Sequence, residues 1–223
     1  SRLDIPFYPF KRTAQINQHN FEQFYPQRRR IKGRIARFRF DYEHAYLKPG
    51  PEYFEDICQI YEDFPFDLMI ADIMFSGTAF VKEKLRVPVI AIGVMPLMNS
   101  SVDLAPQGLG MIPAEGIAGK IRDRIARYLS DKFVFSKLSS IAAEHYKKHD
   151  ILPAGGNILD VLYKSPTLVL QSGTPSFEYK RSDLHPDIRF VGPLYPAPRI
   201  SRSPICFEIL RKNYERIIVV TQG

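Results

Sequence analysis

The stretch between residues 66 and 98 constrains the fold of this chain most strongly. Two short apolar runs, residues 68–71 and 89–92, flank a Phe-Ser-Gly turn and a segment with the pattern of a helix. Runs that are apolar at nearly every position are typical of strands buried on both faces, and a crossover helix joins such strands in parallel. The sequence therefore predicts an α/β fold with a Rossmann-like parallel sheet. Two later runs, residues 167–171 and 188–191, are predicted as further strands of that sheet.

Ligands bind beyond the carboxyl ends of the strands in open parallel sheets. In this chain those ends lead into two loops, residues 72–77 and 93–99, and a segment rich in Pro and Gly follows the second loop. Apolar side chains gather in these segments and predict a ligand pocket. The predicted lining residues, together with Ser76, are Phe75, Met95, Leu97, Met98, Leu109, Met111 and Ile112. Core packing is the alternative explanation, and it is strongest for Leu97 and Ile112.

Composition is typical of a globular protein of a reducing compartment. The 223 residues are 45% hydrophobic, which suits one large domain or one domain and part of another. The two cysteines, Cys58 and Cys206, are far apart and form neither a disulfide framework nor a metal motif, so we predict a cytoplasmic location. The longest apolar run, residues 87–98, contains two prolines and is shorter than the roughly 18 to 20 residues that span a bilayer.

The formal net charge of +7 is unevenly distributed, with seven basic residues between Arg28 and Arg39. One interpretation of this run is a footprint for nucleic acid or for an anionic membrane. The favoured interpretation is a solvated helix whose buried stripe is Ile31, Ile35 and Phe38. No base-stacking pattern or zinc finger accompanies the run, so no nucleic-acid partner is predicted. A weak peripheral contact with a membrane through these residues stays open.

Proline content divides the chain. Four prolines between residues 193 and 204, with few core residues around them, are typical of an interdomain linker. We therefore predict a Rossmann-like domain over residues 1–192 and the start of a second domain at residues 205–223. Both ends of the chain are expected to lie inside domains, because the chain opens without a preceding element and stops after a strand-like run, residues 216–221.

Several nucleotide-binding and catalytic motifs are absent from the sequence. The Gly-Lys pair at residues 119–120 is not part of a P-loop, because Ala114 stands where that motif requires Gly. Ser172 lacks the two flanking glycines of a hydrolase nucleophile elbow. His145 and His149 have the spacing of a metal-binding pair on a helix, but no third ligand accompanies them. We therefore predict neither a bound metal nor a cofactor.

Seven sequence segments follow one another in a recognisable order: DLMIAD, FSGTAF, VPVIAIGVMPL, SSVDLAPQGLGMIP, LVLQSGTPSFEY, IRFVGPLYP and RIIVVTQG. This succession resembles the amino-terminal half of nucleotide-sugar-dependent glycosyltransferases, and most of all the family 1 enzymes of the macrolide glycosyltransferase type. The likeness covers nearly the whole chain. Its most specific part is the succession of FVGPLYP, the proline-rich linker and VVTQG.

The resemblance implies a GT-B architecture, in which two Rossmann-like domains face each other across a cleft. The amino-terminal domain of such enzymes holds the acceptor, and the carboxy-terminal domain holds the nucleotide sugar, here expected to be a UDP-sugar. On this basis the chain is an acceptor domain without its first strand and helix, and the pocket residues named above bind the acceptor. Thr221, Gln222 and Gly223 follow the first strand of the donor domain and are expected to bind the donor. The family requires no metal.

The reaction implied by the resemblance is an inverting displacement at the anomeric carbon, with a hydroxyl of a lipophilic small molecule as acceptor. The family's catalytic base is a histidine outside this chain, and an aspartate usually orients it. Thr78 occupies the position where some relatives carry that aspartate, and Asp72 is the one carboxylate nearby. The alternative role for Asp72 is to cap a turn at the end of the strand.

Two other functions stay open at the level of sequence. A non-catalytic Rossmann-like module that binds a small molecule fits the incomplete catalytic set. A glycolipid glycosyltransferase at a membrane surface would use the basic run between Arg28 and Arg39 as its anchor. The acceptor, the sugar and the nucleotide are not identified by any of these patterns.

Overall fold

The computed structural model of the protein describes residues 5–14, 16, 19–107, 110–152 and 154–194. The chain divides into two units, Ser1–Pro193 and Leu194–Gly223, and nearly all of the described residues belong to the first. Most of the predicted linker and all of the predicted second domain lie outside the described residues, as do Leu109, Thr221, Gln222 and Gly223. The predicted domain boundaries therefore stay predictions.

Four parallel strands form one sheet: β1 (Met69–Asp72), β2 (Val89–Gly93), β3 (Leu168–Ser172) and β4 (Ile188–Gly192). They lie side by side in the order β1-β2-β3-β4. Asp72, the last residue of β1, lies opposite Ile92 of β2. The predicted α/β fold with a Rossmann-like parallel sheet is confirmed. Because all the strands run in the same direction, their carboxyl ends meet at one edge of the sheet.

Strand β1 is less buried than its apolar sequence suggests. Val89 and Ala91 of β2 are fully buried, whereas Ile70 of β1 is mostly exposed. The reason is that β1 is the outer strand of the described sheet and has a strand neighbour on one side only. The expectation of burial on both faces is therefore wrong for β1, and in β2 one face is buried while Ile90 and Ile92 on the other face are partly buried.

Seven helices lie in the part of the chain that the structure describes: α1 (Phe21–Phe24), α2 (Arg34–Tyr42), α3 (Gly50–Asp63), α4 (Thr78–Phe80), α5 (Gly116–Ser130), α6 (Ser136–Lys148) and α7 (Ile158–Lys164). Helices α2, α4 and α5 continue into π-helical turns at Glu43–Leu47, Val81–Leu85 and Asp131–Phe135. The helical spacing of Phe54, Ile57, Cys58 and Tyr61 predicts an amphipathic helix before β1, and α3 confirms it. The sequence also predicts a long helix over residues 117–149 with a break near Ser130, and α5 and α6, which the last of these π turns connects, confirm it.

The basic run forms two separate segments rather than one helix. Pro26–Arg30 is a 3₁₀ helix, and α2 begins only at Arg34. Gly33 separates the two segments with a φ of 90°, a conformation that glycine adopts without steric cost. The cations of this run therefore lie on two elements with different surroundings.

The predicted buried stripe of the basic helix is wrong for two of its three residues. Ile35 and Phe38 are exposed, and the buried residue of α2 is Tyr42 near its end. The Tyr42 ring contacts the rings of Phe38 and Tyr46, with centroids 5.6 and 5.4 Å apart. Helix α2 therefore packs through its carboxyl end, and its first turns leave apolar side chains in contact with solvent.

Helices α6 and α7 supply much of the core that covers the sheet. Leu138 of α6 and Tyr163 of α7 are almost completely buried, in one hydrophobic cluster with Ala91 of β2 and Val169 of β3. A second cluster connects α3 to the start of β2 and consists of Ile57, Val81, Val87 and Val89. Burial of these apolar side chains is the main favourable contribution to the stability of the fold.

A buried carboxylate attaches residues 11–13 to α3. Asp56 is 2% exposed and accepts hydrogen bonds from the amides of Lys11, Arg12 and Thr13 at 3.1, 2.9 and 3.0 Å. The Thr13 hydroxyl donates a further hydrogen bond at 3.0 Å. Burial alone raises the pKa of Asp56, but these hydrogen bonds outweigh burial, and the pKa lies below its ordinary value. Asp56 is therefore ionised at neutral pH.

Candidate functional site

A cleft opens where β1 ends, between the loop that follows the strand and the helices that precede it. Its volume is about 520 Å³, within the range of roughly 300 to 1,000 Å³ that is usual for small-molecule sites. The loop contributes Asp72, Met74, Phe75 and Ser76. The rest of the lining comes from residues upstream of β1: Ile16, Phe21, Glu22, Arg28, Asp41, Ala45, Tyr46 and Tyr53. The cleft lies at the strand end where the sequence predicts a ligand.

Aromatic rings form much of the apolar lining of the cleft. The centroids of the Phe75 and Tyr53 rings are 5.1 Å apart. Gly77 leaves room for the Phe75 ring, since a Cβ atom at residue 77 would lie 2.6 Å from the Phe75 Cε1 atom. Aromatic side chains offer large, rigid contact areas to apolar and planar ligands. The cleft is therefore suited to a lipophilic ligand.

The polar wall of the cleft is an ion-pair network in which the charges compensate one another. The Arg28 guanidinium donates to the two Asp41 oxygens at 2.6 and 2.8 Å and to Glu22 at 2.8 Å. Arg29 donates to the second Glu22 oxygen at 2.9 Å. The hydrogen bonds with Asp41 raise the pKa of Arg28, and the hydrogen bonds from Arg29 and Arg28 lower the pKa of Glu22. Arg28 therefore brings little uncompensated charge into the cleft.

Asp72 caps the turn at the end of β1 and also lines the cleft. Its Oδ1 accepts a hydrogen bond from the Met74 amide at 2.8 Å. This is the turn-capping geometry that aspartate commonly adopts two residues before the donor amide. Only one carboxylate oxygen takes part, and among the described residues the other has no hydrogen-bond partner. Capping the turn therefore leaves half of the carboxylate available to a further partner.

Thr78 and Ser76 lie in the same loop but differ in their surroundings. Thr78 is buried at the start of α4, and its hydroxyl donates to the Phe75 carbonyl at 2.9 Å. Ser76 lines the cleft, and its buried hydroxyl has no hydrogen-bond partner among the residues that the structure describes. The structure therefore brings Asp72, Phe75 and Ser76 together in the cleft and places Thr78 outside its lining.

The predicted pocket residues after β2 lie outside the lining of this cleft. Leu97 is 1% exposed and belongs to the main hydrophobic cluster, against which Met98 also packs. The Met95 carbonyl accepts a hydrogen bond from the Gln171 side chain at 2.7 Å. These positions favour core packing as the explanation for Leu97, and an acceptor-binding role for all three residues stays a prediction.

The predicted pocket residues further along the chain lie before α5. Met111 is partly buried, whereas Ile112 is among the more exposed apolar side chains of the protein. Core packing therefore does not account for Ile112. Leu109 falls outside the described residues.

Two charged side chains downstream of β3 hold the loop that follows β2. Glu178 accepts a hydrogen bond from the Leu97 amide at 2.9 Å. Arg181 donates to the carbonyls of Leu97 and Asn99, each at 2.7 Å. Burial lowers the pKa of Arg181, although neighbouring carboxylates act in the opposite direction. These contacts join two loops at the carboxyl edge of the sheet.

Sequence reasoning missed one whole wall of the cleft. Arg28, Asp41, Tyr46 and Tyr53 are far upstream of Asp72 in the chain, and none of them belongs to a recognisable motif. The charge run that contains Arg28 was the available signal, but it indicates surface charge equally well. Only the folding of the upstream helices against the end of β1 brings these residues to the loop.

The described part of the chain contains no group of three or more His, Cys, Asp or Glu side chains that could hold a metal ion. His145 and His149 have the spacing noted above, and the His149 ring packs edge-on against the rings of Phe54 and Phe80. Within the same described residues, no helix is long and apolar enough to cross a membrane.

The parallel Rossmann-like sheet, with a ligand-sized cleft at the carboxyl end of a strand, defines an α/β domain of the kind that binds small molecules. This architecture is consistent with one domain of a GT-B glycosyltransferase.

Known proteins resemble this chain over most of its length. 4'-Demethylrebeccamycin synthase from Lentzea aerocolonigenes is 32% identical over 194 residues, which cover 86% of this chain and 45% of the relative. UDP-glucosyltransferase 1 of Beauveria bassiana (strain ARSEF 2860) is 35% identical over 159 residues, covering 67% of this chain and 34% of the relative. UDP-glycosyltransferase 2 of Phaeomoniella chlamydospora is 24% identical over 236 aligned positions, which cover 98% of this chain and 50% of the relative. No protein-family model matches the chain.

The chain is thus a distant homologue of UDP-glycosyltransferases and of the synthase, which confirms the resemblance found in the sequence. It spans between about a third and a half of the length of these relatives.

Proposed function

We propose that this chain is the acceptor-binding part of a family 1 glycosyltransferase. The whole enzyme transfers a sugar from a UDP-sugar to a hydroxyl group of a lipophilic small molecule with inversion. Homology to two proteins named as UDP-dependent sugar transferases supports the class of reaction. The observation that carries the assignment of this chain to the acceptor is the aromatic-lined cleft of about 520 Å³ at the end of β1.

In the proposed reaction the acceptor hydroxyl attacks the anomeric carbon of the sugar, a histidine outside this chain takes its proton, and UDP leaves. Phe75 and Tyr53 would contact the apolar body of the acceptor, and Ser76 would line the same cleft. Asp72 is proposed as a positioning residue that orients the histidine and stabilises its charged form. Thr221, Gln222 and Gly223 are proposed to approach the diphosphate.

Replacing Phe75 with Ala is expected to weaken the binding of a lipophilic acceptor to the 223-residue chain about tenfold. The ring supplies contact area to the cleft, and losing it costs about 1.4 kcal/mol of binding free energy. Isothermal titration calorimetry with flavonoid and macrolide aglycones measures the change in Kd. Phe177→Ala is the matched control, because this ring is exposed and lies outside the cleft. An unchanged Kd for the Phe75 variant, or equal losses for both variants, would contradict the assignment of the cleft.

The 223-residue chain alone is expected to transfer no sugar, because the proposed base and most of the proposed donor site are not part of it. The chain and the full-length protein are incubated with UDP-sugars and with flavonoid, macrolide or sterol acceptors, and products are detected by mass spectrometry. Product formed by the chain alone would show that its proposed boundaries are wrong. A full-length protein that binds acceptors but transfers no sugar would instead favour the non-catalytic binding module.

A further inference from the structure

Helix α5 has its apolar side turned to solvent. Ile117, Ile121 and Ile125 are 82%, 53% and 54% exposed, and Tyr128 and Leu129 are also exposed. These five residues are spaced i, i+4, i+8, i+11 and i+12, so they occupy one side of the helix. An amphipathic helix of a globular protein normally buries such a side against the core. Within the described part of the chain, the apolar side of α5 is instead exposed to solvent.

The inner side of α5 is built from small and polar residues. Asp123 and Ser130 are buried, and Gly119 lies so close to Ala114 that a Cβ atom at residue 119 would clash with its methyl group. Asp123 accepts a hydrogen bond from the Ala114 amide at 3.1 Å and pairs with Arg122 at 2.7 Å. These contacts determine the rotation of α5 about its axis. The exposure of its isoleucines is therefore a consequence of specific packing on the opposite side.

Basic side chains border the apolar side of α5. Lys120 and Arg124 are exposed and spaced i, i+4, one position before Ile121 and Ile125. Lys132, in the π turn that follows, lies 5.9 Å from the centroid of the Tyr128 ring. Five basic and two acidic residues occur between residues 116 and 135, and one of the two acidic residues is the buried Asp123. The border of the apolar side is therefore positively charged.

Helix α2 adjoins the carboxyl end of this surface and also has exposed apolar side chains among basic ones. Arg39 donates to the Phe133 carbonyl at 3.3 Å, and the Phe38 ring meets the Phe135 ring edge-on at 6.2 Å. Ile35 and Phe38 of α2 are exposed apolar residues within the basic run. Phe133, in the π turn that follows α5, is also exposed. The two helices thus bring exposed apolar and basic side chains together around the Arg39–Phe133 contact.

We propose that the exposed apolar side of α5, together with the adjoining part of α2, binds the surface of an anionic lipid bilayer. In this arrangement the isoleucines enter the boundary between headgroups and acyl chains, while the bordering lysines and arginines pair with lipid phosphates. The surface overlaps the anchor predicted from the charge run only in α2, because Arg28 of that run is engaged by Asp41 and Glu22 in the cleft.

The shape and charge of this surface favour a bilayer over other occupants. From Ile117 to Leu129 the apolar side extends about 18 Å at 1.5 Å per residue, along the outside of a helix rather than inside a concave site. A symmetric contact with a second copy would place two positively charged patches against each other, and this arrangement is repulsive. A nucleic acid would pair with the cations but would leave the isoleucines without an apolar partner.

Co-sedimentation with phosphatidylglycerol and phosphatidylcholine vesicles tests the proposal on the 223-residue chain. We expect binding to phosphatidylglycerol at low salt, weaker binding at high salt, and much weaker binding to phosphatidylcholine. The double variant Ile121→Asp/Ile125→Asp is expected to reduce the bound fraction at least tenfold. The matched control is Leu152→Asp/Phe177→Asp, which introduces the same two negative charges at exposed apolar residues outside α2 and α5 and should bind like the original protein. Circular dichroism melting curves establish that each variant is folded.

Binding of the double variant at the original level would overturn the proposal, and so would failure of the unmodified chain to bind phosphatidylglycerol vesicles. A second pair, Lys120→Gln/Arg124→Gln, keeps the apolar side intact and should lose the preference for the anionic lipid. An unchanged preference in this variant would show that the bordering cations do not contact the headgroups. Sedimentation velocity without lipid should show a monomer, and a dimer abolished by the double variant would identify a second copy as the occupant. None of these measurements depends on sugar transfer.

Discussion

Replacing Asp72 with Asn in the full-length protein is expected to lower turnover about a hundredfold and to leave the melting temperature nearly unchanged. The Asn side-chain oxygen can still accept the hydrogen bond that the Met74 amide donates to Asp72, so the turn survives. The substitution removes the negative charge that is proposed to stabilise the imidazolium of the catalytic histidine. A hundredfold loss of turnover corresponds to an increase of about 2.7 kcal/mol in the activation free energy. Steady-state kinetics and thermal melting measure the two quantities on the same preparations.

Thr78→Ala is the control for this experiment, because the family resemblance implies that the aspartate could correspond to Thr78 instead of Asp72. Its hydroxyl donates to the Phe75 carbonyl within the turn, so its loss is expected to cost about 1 kcal/mol of stability and to change turnover only a few-fold. If Thr78→Ala abolishes turnover while Asp72→Asn does not, the orienting role belongs to Thr78. If Asp72→Asn keeps turnover within a few-fold of the original, Asp72 serves the turn alone.

Replacing Asp56 with Ala is expected to destabilise the fold by about 3 kcal/mol, which corresponds to a melting temperature roughly 6 to 12 °C lower. The substitution leaves the amides of residues 11–13 without their acceptor in a buried position. Glu55→Ala is the neighbouring control on α3. Its ion pair with Arg12 is half exposed, so its removal should cost no more than about 1 kcal/mol. Equal losses for the two variants would show that the buried carboxylate has no special role.

The same carboxylate predicts an acid-sensitive component of stability. Because the pKa of Asp56 is lower in the folded protein, its contribution is complete above the unfolded pKa of roughly 3.9 and is lost as the pH falls through the folded pKa. In urea titrations below about pH 4, the original protein should therefore lose more stability than Asp56→Asn, which cannot titrate. Parallel pH profiles for the two proteins would contradict this assignment.

Local sequence patterns were sufficient to predict the sheet and the helices around it. The runs that became β1 and β2 are apolar over four consecutive residues, those of β3 and β4 are mainly apolar, and α3 has a clear helical period. Both signals depend on neighbouring residues along the chain, so one sequence contains them in full. The orientation of α2 could not be predicted in this way. A stripe of Ile and Phe is expected to be buried, but α2 packs through Tyr42 instead.

The loop half of the cleft was predictable, and the helical half was not. Asp72, Phe75 and Ser76 follow a strand directly, and the rule for parallel sheets places such residues at the ligand edge. Arg28 and Tyr53 reach the same cleft only because the upstream segments fold back against the end of β1. Leu97 also follows a strand, yet it is in the core. The direction of a loop side chain depends on its tertiary contacts, here those made by Glu178 and Arg181.

The sequence by itself determined the class of fold, the strand order along the chain and the resemblance to glycosyltransferases, because each of these is encoded in periodicity or in ordered segments. Only the tertiary structure decided which residues share the cleft and which side of α5 meets solvent. The physical reason is that both depend on contacts between residues distant in the chain. The burial of Asp123 beneath α5 and the pairing of Arg28 with Asp41 are contacts of that kind.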